Sequence, residues 1–358
     1  MENLFTFDDV LIVPKFSDIR SRKDVDISTN PAALPYLRLP IISSNMDTVT
    51  GPEMAKAMAA NGGIGCLHRF CTIEENVKTF LDSRYGGMGA INTPLVSIGL
   101  GKKELERAEA LRDAGAFSFV IDVANGANTY VVEQVKELRK IVGHQRHIIV
   151  GNFATSESIK DFLWHEKNVD GVKIGIGNGS ACTTRLKSGV GIPQLSAIID
   201  VSTRLKNVGL TIVADGGMRN PSDIAKALGA GVHAVMLGGM LAGTDESPGE
   251  VIGEPGAIDE IRNFGSSRRL WKKYRGSASK ESYVAQGKDD SWRTAEGESF
   301  MVPYKGPVRD ILQDIEGGLR GSFSSVGARN MKEFHKLCEF AHVSPSTVRE
   351  NSAHGKNL

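Results

Sequence analysis

The sequence has few cysteines, and they are not spaced as in metal or disulfide frameworks. None of the four in the 358 residues belongs to a C-x-x-C pair. We therefore expect neither a zinc ribbon nor a set of disulfides, and we predict a reducing, cytoplasmic compartment. In that setting a cysteine on a glycine-rich loop is a candidate nucleophile. The four are Cys66, Cys71, Cys182 and Cys338.

An excess of one charge is also missing. Lys and Arg (43 residues) nearly balance Asp and Glu (42 residues), and 41% of the residues are hydrophobic. This balance gives no basic field, so we expect neither a nucleic-acid nor a membrane partner. No apolar run is long enough to span a bilayer. The residues from Met1 to Phe5 lack the charged and apolar regions of a signal peptide.

What the sequence does contain is a regular alternation of strand-like and helix-like segments. Helical spacing of apolar residues occurs at 52–60, 70–81, 102–114, 130–142, 156–164, 193–206 and 221–228. Short apolar runs that end in small or polar residues lie at 39–46, 62–68, 95–99, 117–123, 147–152, 171–175, 210–214 and 234–237. Eight such runs with helices between them predict a parallel sheet covered by helices.

The number of strands favours a closed α/β barrel, the (β/α)8 TIM barrel, over an open doubly wound sheet. The open sheet is the alternative. The run Gly175-x-Gly177-x-Gly179 does not support it, because a dinucleotide fingerprint has a different glycine spacing and lies in the first βαβ unit.

The alternation breaks between about residues 245 and 303, where Gly, Ser, Lys and Arg are frequent. A long insertion inside a compact domain is usually a lid or a disordered excursion. We expect one barrel domain over residues 1–343, a mobile lid at about 265–303 after the eighth strand, and a flexible polar tail at 344–358. Helices are predicted at 308–319 and 330–340. The simplest interpretation of Lys272, Lys273 and Arg275 is a solvated face.

Cys182 is the candidate nucleophile, because it ends the glycine-rich loop after the sixth strand. Cations and backbone N–H groups lower the pKa of a thiol, and Arg185 and the loop can supply both. Thr183 and Thr184 could relay protons. The alternative is a buried cysteine that only fills space.

The same loop could hold a monovalent cation through the carbonyl oxygens of Gly177, Gly179 and Cys182, because glycines let carbonyls point inward. A simple tight turn is the alternative.

Two further glycine pairs follow the seventh and eighth strands, where barrels commonly bind phosphate. They are Gly216-Gly217, after Asp215, and Gly238-Gly239. A phosphate would repel Asp215, so ribose hydroxyls suit that carboxylate better; the alternative is that the glycines only serve packing. Glu296, at the end of the predicted lid, is a candidate proton carrier beside Thr184, or otherwise a solvated side chain.

Several motifs resemble the family of IMP dehydrogenase and GMP reductase along nearly the whole chain. They are Asn45-Met46-Asp47-Thr48-Val49, the loop from Gly175 to Thr184, Asp215-Gly216-Gly217, and the segment from Gly238 to Gly243. The family fold is a (β/α)8 barrel, in agreement with the strand pattern. The CBS modules that often interrupt the dehydrogenase barrel are missing, since Arg69 leads directly into the next helix.

Other motifs favour one branch of the family over the other. The segments 121–126, 182–185 and 188–197 look like GMP reductase, which has Thr183 and Arg185 where the dehydrogenase usually has isoleucine and glutamine. The segments 273–276 and 246–250 look more like the dehydrogenase. Ser277 replaces a usual methionine, Trp292 a usual tyrosine, and Arg69 a usual lysine.

The resemblance implies the reductive deamination of GMP to IMP and ammonia with NADPH, through a Cys182 thioimidate at purine C2, in a cytoplasmic homotetramer. Cys182, Thr184 and Glu296 would be catalytic. The implied contacts to the purine nucleoside monophosphate are Asp215, Gly216, Gly217, Gly238, Gly239, Gly276, Ser277, Ala278, Arg293 and Gly297. The implied cofactor contacts are Ser21, Arg22, Arg69, Asp122, Val123, Ala124, Ile176, Gly177, Trp292, Arg293, Gly321, Ser322 and Ser324. A monovalent cation (K+) would be held by Gly177, Gly179, Cys182 and Arg185.

Three alternatives stay open at this point. One is an NAD-dependent IMP dehydrogenase without CBS domains, which would oxidise IMP to XMP. Another is a reductase retuned to a deoxy or modified purine nucleotide. The third is a non-catalytic nucleotide-binding barrel that acts as a sensor.

Overall fold

The computed structural model describes residues 4–86, 93–253, 270–285, 294–344 and 346–351. A short strand, β1, precedes the barrel at Val10–Ile12. The barrel strands are β2 (Ile41–Ser43), β3 (Ile64–Leu67), β4 (Leu95–Ile98), β5 (Ser118–Asp122), β6 (His147–Phe153), β7 (Gly171–Ile174), β8 (Thr211–Asp215) and β9 (Ala234–Leu237).

These eight strands form a closed parallel barrel in sequence order. Closure is made by β2 and β9, where Ile42 lies opposite Met236. An open sheet has no pairing between its first and last strands, so the predicted TIM barrel is confirmed and the doubly wound alternative is excluded.

The helices on the outside of the barrel, apart from one short helix, match the predicted segments closely. They are α1 (Pro52–Ala60), α2 (Ile73–Asp82), α3 (Lys102–Asp113), α4 (Thr129–Val142), α5 (Ser156–His165), α6 (Thr184–Ser188), α7 (Gln194–Arg204) and α8 (Pro221–Gly229). The chain passes from β3 to α2 through residues 68–72, with no inserted domain between them. The sequence pattern did not predict α6, the short helix that begins directly after the Cys182 loop.

Alternation along the strands divides the core into two clusters. One residue of each pair packs outward against the helices, and the next packs inside the barrel. The inner cluster also includes a segment before β2 that closes the amino end of the barrel; its members are Ala33, Leu34, Leu37, Ile42, Ile64, Cys66, Leu95, Val120, Ile149, Val213, Ala234 and Met236. The amino half of the interior is therefore apolar and packed, and polar inward residues occur toward the carboxyl rim.

The chain beyond β9 forms β10 (Trp271–Arg275), α9 (Lys280–Ala285), β11 (Ser299–Pro303), α10 (Val308–Val326), α11 (Met331–Leu337), β12 (Phe340–His342) and α12 (Thr347–Glu350). The described part of the predicted lid is ordered into strands, since β10 and β11 pair antiparallel with Tyr274 opposite Phe300. The mobility of this segment and the domain limits stay predictions.

Three sequence predictions need correction. The helix predicted at 308–319 continues to Val326, and the one predicted at 330–340 ends at Leu337, because residues 340–342 pair with β1 as a strand. The prediction of a solvated face at Lys272, Lys273 and Arg275 is wrong for Lys272, although Lys273 is exposed. Lys272 is 2% exposed, and its ammonium donates to the carbonyl oxygens of Thr244 and Ser247. Among the described residues, no helix has the length and apolarity needed to cross a membrane.

Candidate active site

A cavity of about 350 Å³ lies at the carboxyl rim of the barrel. Loops that follow different strands contribute to it, as is usual for catalytic sites in this fold. Its walls also include the turn after β10 and the segment before β11. Of the predicted site residues, it brings together Arg69, Asp122, Val123, Ala124, Ile176, Gly177, Gly179, Cys182, Thr184, Asp215, Gly276, Ser277, Ala278, Glu296 and Gly297.

The three predicted catalytic residues form one hydrogen-bonded chain. The Cys182 thiol donates to Thr184 Oγ1 over 3.2 Å. The Thr184 hydroxyl in turn donates to Glu296 Oε2 over 2.7 Å. Cys182 is half-buried. A proton can therefore pass from the thiol through the hydroxyl to the carboxylate, which is what activation of a cysteine nucleophile requires.

Backbone pairing explains why Glu296 reaches this position. The Thr183 N–H donates to the Glu296 carbonyl over 2.8 Å, and the Glu298 N–H donates to the Ala181 carbonyl over 2.9 Å. Cys182 and Gly297 thus face each other as an antiparallel bridge. The nucleophile loop and the segment that carries the carboxylate are one backbone unit.

The Arg185 guanidinium supports the loop that carries Cys182 through hydrogen bonds to the backbone. Gly177 has a φ of 76°, and a Cβ there would lie 2.6 Å from Arg185 Cγ, so only glycine suits this position. Arg185 Nη2 donates to the carbonyls of Ile176 (3.3 Å) and Ile192 (2.5 Å). The guanidinium therefore binds the backbone on both sides of the loop.

The predicted cation site shares this loop. The Gly179 carbonyl accepts the Cys182 N–H over 3.0 Å, and the Arg185 carbonyl accepts the Gly189 N–H over 3.1 Å. These hydrogen bonds use part of the accepting capacity of the backbone carbonyls of Gly179 and Arg185, two of the four residues predicted to hold the cation. Within the described residues, no group of three or more His, Cys, Asp or Glu side chains could hold a metal ion. The monovalent cation stays a prediction.

A second cavity of about 170 Å³ adjoins the first and contains the predicted phosphate-binding glycines. Gly216, Gly217, Gly238 and Gly239 line it together with Tyr274. Sequence reasoning missed Tyr274 as a site residue. Its side chain is 3% exposed, its hydroxyl lies 3.3 Å from Ser180 Oγ, and burial raises its pKa. The buried hydroxyl of a tyrosine next to half-buried glycines is a suitable donor for a phosphate oxygen.

Sequence reasoning also missed Lys173, although it lies in the middle of the apolar strand β7. Its ammonium donates to Asp122 Oδ1 (2.8 Å), Asp215 Oδ2 (2.6 Å) and Asn152 Oδ1. Burial alone would lower the pKa of Lys173, but the two carboxylates reverse the effect and raise it above its ordinary value. Burial would likewise raise the pKa of Asp122, yet the Lys173 charge holds it below its ordinary value. The available signal was alternation, which turns Lys173 inward with both carboxylates.

The predicted cofactor contacts divide into two groups. Arg69 lies in the main cavity, where its guanidinium is 5.1 Å from the Phe70 ring and Nη2 is 3.5 Å from the Asp122 carbonyl. Arg22, Gly321 and Ser322 instead line a separate cavity against α10, which shares no lining residue with the main one. Ser21 caps the short 3-10 helix at Arg22–Asp24, and Ser324 lies in α10. Within one chain these residues do not join the catalytic cavity.

The turn Gly276-Ser277-Ala278 lines the main cavity, and its contact with the purine stays a prediction. Arg275, directly before it, forms an ion pair with Asp47, with Nε 3.0 Å from Oδ2. This pair connects the turn to the Asn45–Val49 motif. Trp292 and Arg293 lie outside the described residues.

Comparison with known proteins gives a consistent result. The family model described as "IMP dehydrogenase / GMP reductase domain" matches residues 4–354. A GMP reductase of Klebsiella pneumoniae is 38% identical over 349 residues, which is 96% of each protein. An inosine-5'-monophosphate dehydrogenase of Cryptosporidium parvum is 33% identical over 388 residues, covering 98% of this chain and 94% of that protein.

A solved structure shows the same likeness in three dimensions. It is a cysteine-to-alanine variant of GMP reductase from Trypanosoma brucei in complex with guanosine 5'-monophosphate. It superimposes with a TM-score of 0.88 at 28% identity, covering 99% of this chain and 98% of that one. The chain belongs to the IMP dehydrogenase/GMP reductase family.

Proposed function

We propose that this protein is a GMP reductase, which converts GMP to IMP and ammonia at the expense of NADPH. The observation that carries the proposal is the chain from Cys182 Sγ through Thr184 Oγ1 to Glu296 Oε2. These three side chains lie at one wall of the main cavity, and glycines line the adjoining cavity, which supports a cysteine nucleophile with a proton path beside a phosphate site. The relatives named GMP reductase support the same assignment.

In the first half-reaction Cys182 displaces the amino group from purine C2. The thiol proton moves toward Glu296 through Thr184, and the sulfur forms a bond to C2. The C2–N bond then breaks. The same carboxylic acid returns the proton to the departing amine, so that ammonia leaves and a thioimidate remains.

The reduced nicotinamide, when bound next to the purine, supplies the hydride that C2 receives in the second half-reaction. The C2–S bond breaks, IMP is formed, and Cys182 leaves as a thiolate that takes a proton from solvent. Arg69 fits this end of the cavity. Its side chain lines the cavity, and Nη2 lies 3.5 Å from the Asp122 carbonyl oxygen.

Asp215 would bind the ribose hydroxyls, while Gly216, Gly217, Gly238, Gly239 and Tyr274 would surround the phosphate. Asp122, Val123, Ala124, Ile176 and Gly177 would contact the cofactor next to Arg69. We also propose the homotetramer and the K+ dependence that the resemblance implies. Light scattering, and assays with Na+ in place of K+, test these two points.

The experiment that tests the function follows absorbance at the nicotinamide band with GMP, dGMP and IMP, each with NADPH, NADH and NAD+. We expect NADPH consumption with GMP, accompanied by one ammonia per NADPH. Reduction of NAD+ with IMP would instead identify an IMP dehydrogenase, the activity named for the Cryptosporidium relative. A preference for dGMP would indicate a reductase retuned at the Ser277 turn, and binding without turnover would indicate a sensor.

A further inference from the structure

Lys173 joins side chains from three other barrel strands or strand ends at one ammonium. Asp122 ends β5, Asn152 belongs to β6, and Asp215 ends β8. Asn152 also donates to Asp215 Oδ2 over 2.9 Å, which closes the network. Two predicted binding residues that are far apart in the sequence therefore share one cation.

The exposures of these groups differ in a way that defines their roles. The Lys173 side chain is 2% exposed, whereas those of Asp122 and Asp215 are each 20% exposed. The two carboxylates are therefore more accessible to a ligand than Lys173 is, although all three residues line the main cavity. The barrel also makes room for this lysine, because a Cβ on Gly151 would lie 2.6 Å from Lys173 Cβ.

We propose that Lys173 is a positioning residue that holds the Asp122 and Asp215 carboxylates together and thereby couples the cofactor end of the cleft to the ribose end. The inference rests on the proposed function, which assigns Asp122 to the cofactor and Asp215 to the nucleotide. Each carboxylate keeps one side for the ammonium and presents the rest to its ligand. A charge-assisted hydrogen bond of this kind orients the carboxylate and also stabilises its negative charge.

Removal of Lys173 alone would leave two half-buried carboxylates without their cation, so the test uses charge-balanced pairs. K173M/D122N has the same net charge as the original cluster and isolates Asp215. K173M/D215N isolates Asp122 in the same way. Each is compared with its single variant, D122N or D215N, in which Lys173 still holds the other carboxylate.

The readouts are the Kd of GMP without cofactor and the Kd of NADPH without nucleotide, measured on chains shown to be folded by circular dichroism. We expect K173M/D122N to bind GMP about tenfold or more weakly than D122N does, and K173M/D215N to bind NADPH about tenfold or more weakly than D215N does. K226M is the matched control. Lys226 is another buried lysine, 5% exposed, whose ammonium donates to the Phe7 carbonyl outside the cleft. Its loss should lower Tm and leave both Kd values unchanged.

Equal affinities within either pair would overturn the proposal, because the carboxylate would then work without Lys173. Failure of the charge-balanced pairs to fold would also overturn it, since Lys173 would then be required for stability rather than position. The proposed function is checked separately on the unaltered protein. If that protein oxidised IMP with NAD+, the same pairs would be measured with IMP and NAD+. The role of Lys173 would then be tested independently of the proposed function.

Discussion

Thr184 Oγ1 lies 2.7 Å from Glu296 Oε2, although 112 positions separate the two residues in the chain. The hydroxyl connects the carboxylate to the Cys182 thiol, and the proposed mechanism gives each member of this hydrogen-bonded chain a distinct chemical task. Substitutions can separate these tasks.

Loss of the Thr184 hydroxyl should interrupt the proton path without removing the nucleophile. We expect T184V to lower kcat by about 10²–10⁴-fold, the usual contribution of a positioned acid or base, with little change in the KM for GMP. E296Q should have a similar effect. The kcat of the double variant T184V/E296Q should be no lower than that of the less active single variant. T184S retains the hydroxyl and is the control. Additive losses in T184V/E296Q would contradict a single path.

The Cys182 thiol should be essential for chemistry and dispensable for binding. We expect C182A to lower turnover by about 10⁴-fold or more while the Kd of GMP changes by less than about threefold. C338A is the matched control, because Cys338 is a free cysteine in a different part of the fold. Mass spectrometry of a quenched reaction should detect the nucleotide adduct on the unaltered protein only. Residual turnover by C182A close to that of the unaltered protein would rule out covalent catalysis.

The Tyr274 hydroxyl should contribute to binding of the phosphate. Y274F should raise the KM for GMP about fivefold to tenfold with kcat nearly unchanged, as expected for the loss of one hydrogen bond worth about 1 kcal/mol. Guanosine, which has no phosphate, should be handled equally by both proteins. Y130F serves as the control, since Tyr130 is 71% exposed. A loss that is as large with guanosine as with GMP would assign Tyr274 to another part of the site.

His335 should make the protein less stable in acid. Burial, with a further contribution from the positive charge that His233 can carry, lowers the pKa of His335 from 6.5 to about 4. At acidic pH the folded state therefore binds fewer protons than the unfolded state. His335 does not reduce the free energy of unfolding above pH 6.5, and it reduces it progressively as the pH falls from 6.5 to about 4. The loss should be about 3 kcal/mol at most.

H335Q removes the titration and can keep the hydrogen bond to the Val232 carbonyl. Urea unfolding at several pH values should show a flatter dependence for this variant than for the unaltered protein. H165Q, which alters an exposed histidine at the end of α5, should keep the original slope. Identical slopes for H335Q and the unaltered protein would show that other groups control stability in this range.

Local pattern was sufficient to predict the barrel and the rim where its chemistry lies. Apolar runs with helical segments between them determine parallel strands, and parallel strands in a closed barrel end at one rim. Loops such as the one carrying Cys182 and the turn after Asp215 therefore had to meet, whatever the details of packing. The sequence alone thus determined the fold, and it predicted that Cys182, Asp215 and the two glycine pairs lie near one another at the rim.

Only the tertiary structure decided which side chains touch. Glu296 reaches Thr184 because its backbone pairs with the Cys182 loop, a contact between distant segments that no local periodicity contains. Lys173 became a site residue because barrel closure brings two carboxylates to one buried ammonium. Packing also divided the predicted cofactor contacts, because Arg22 and Gly321, which belongs to α10, line a cavity separate from the main one. Sequence pattern determines which side of a strand each side chain faces. Long-range packing determines which side chains from different segments come into contact.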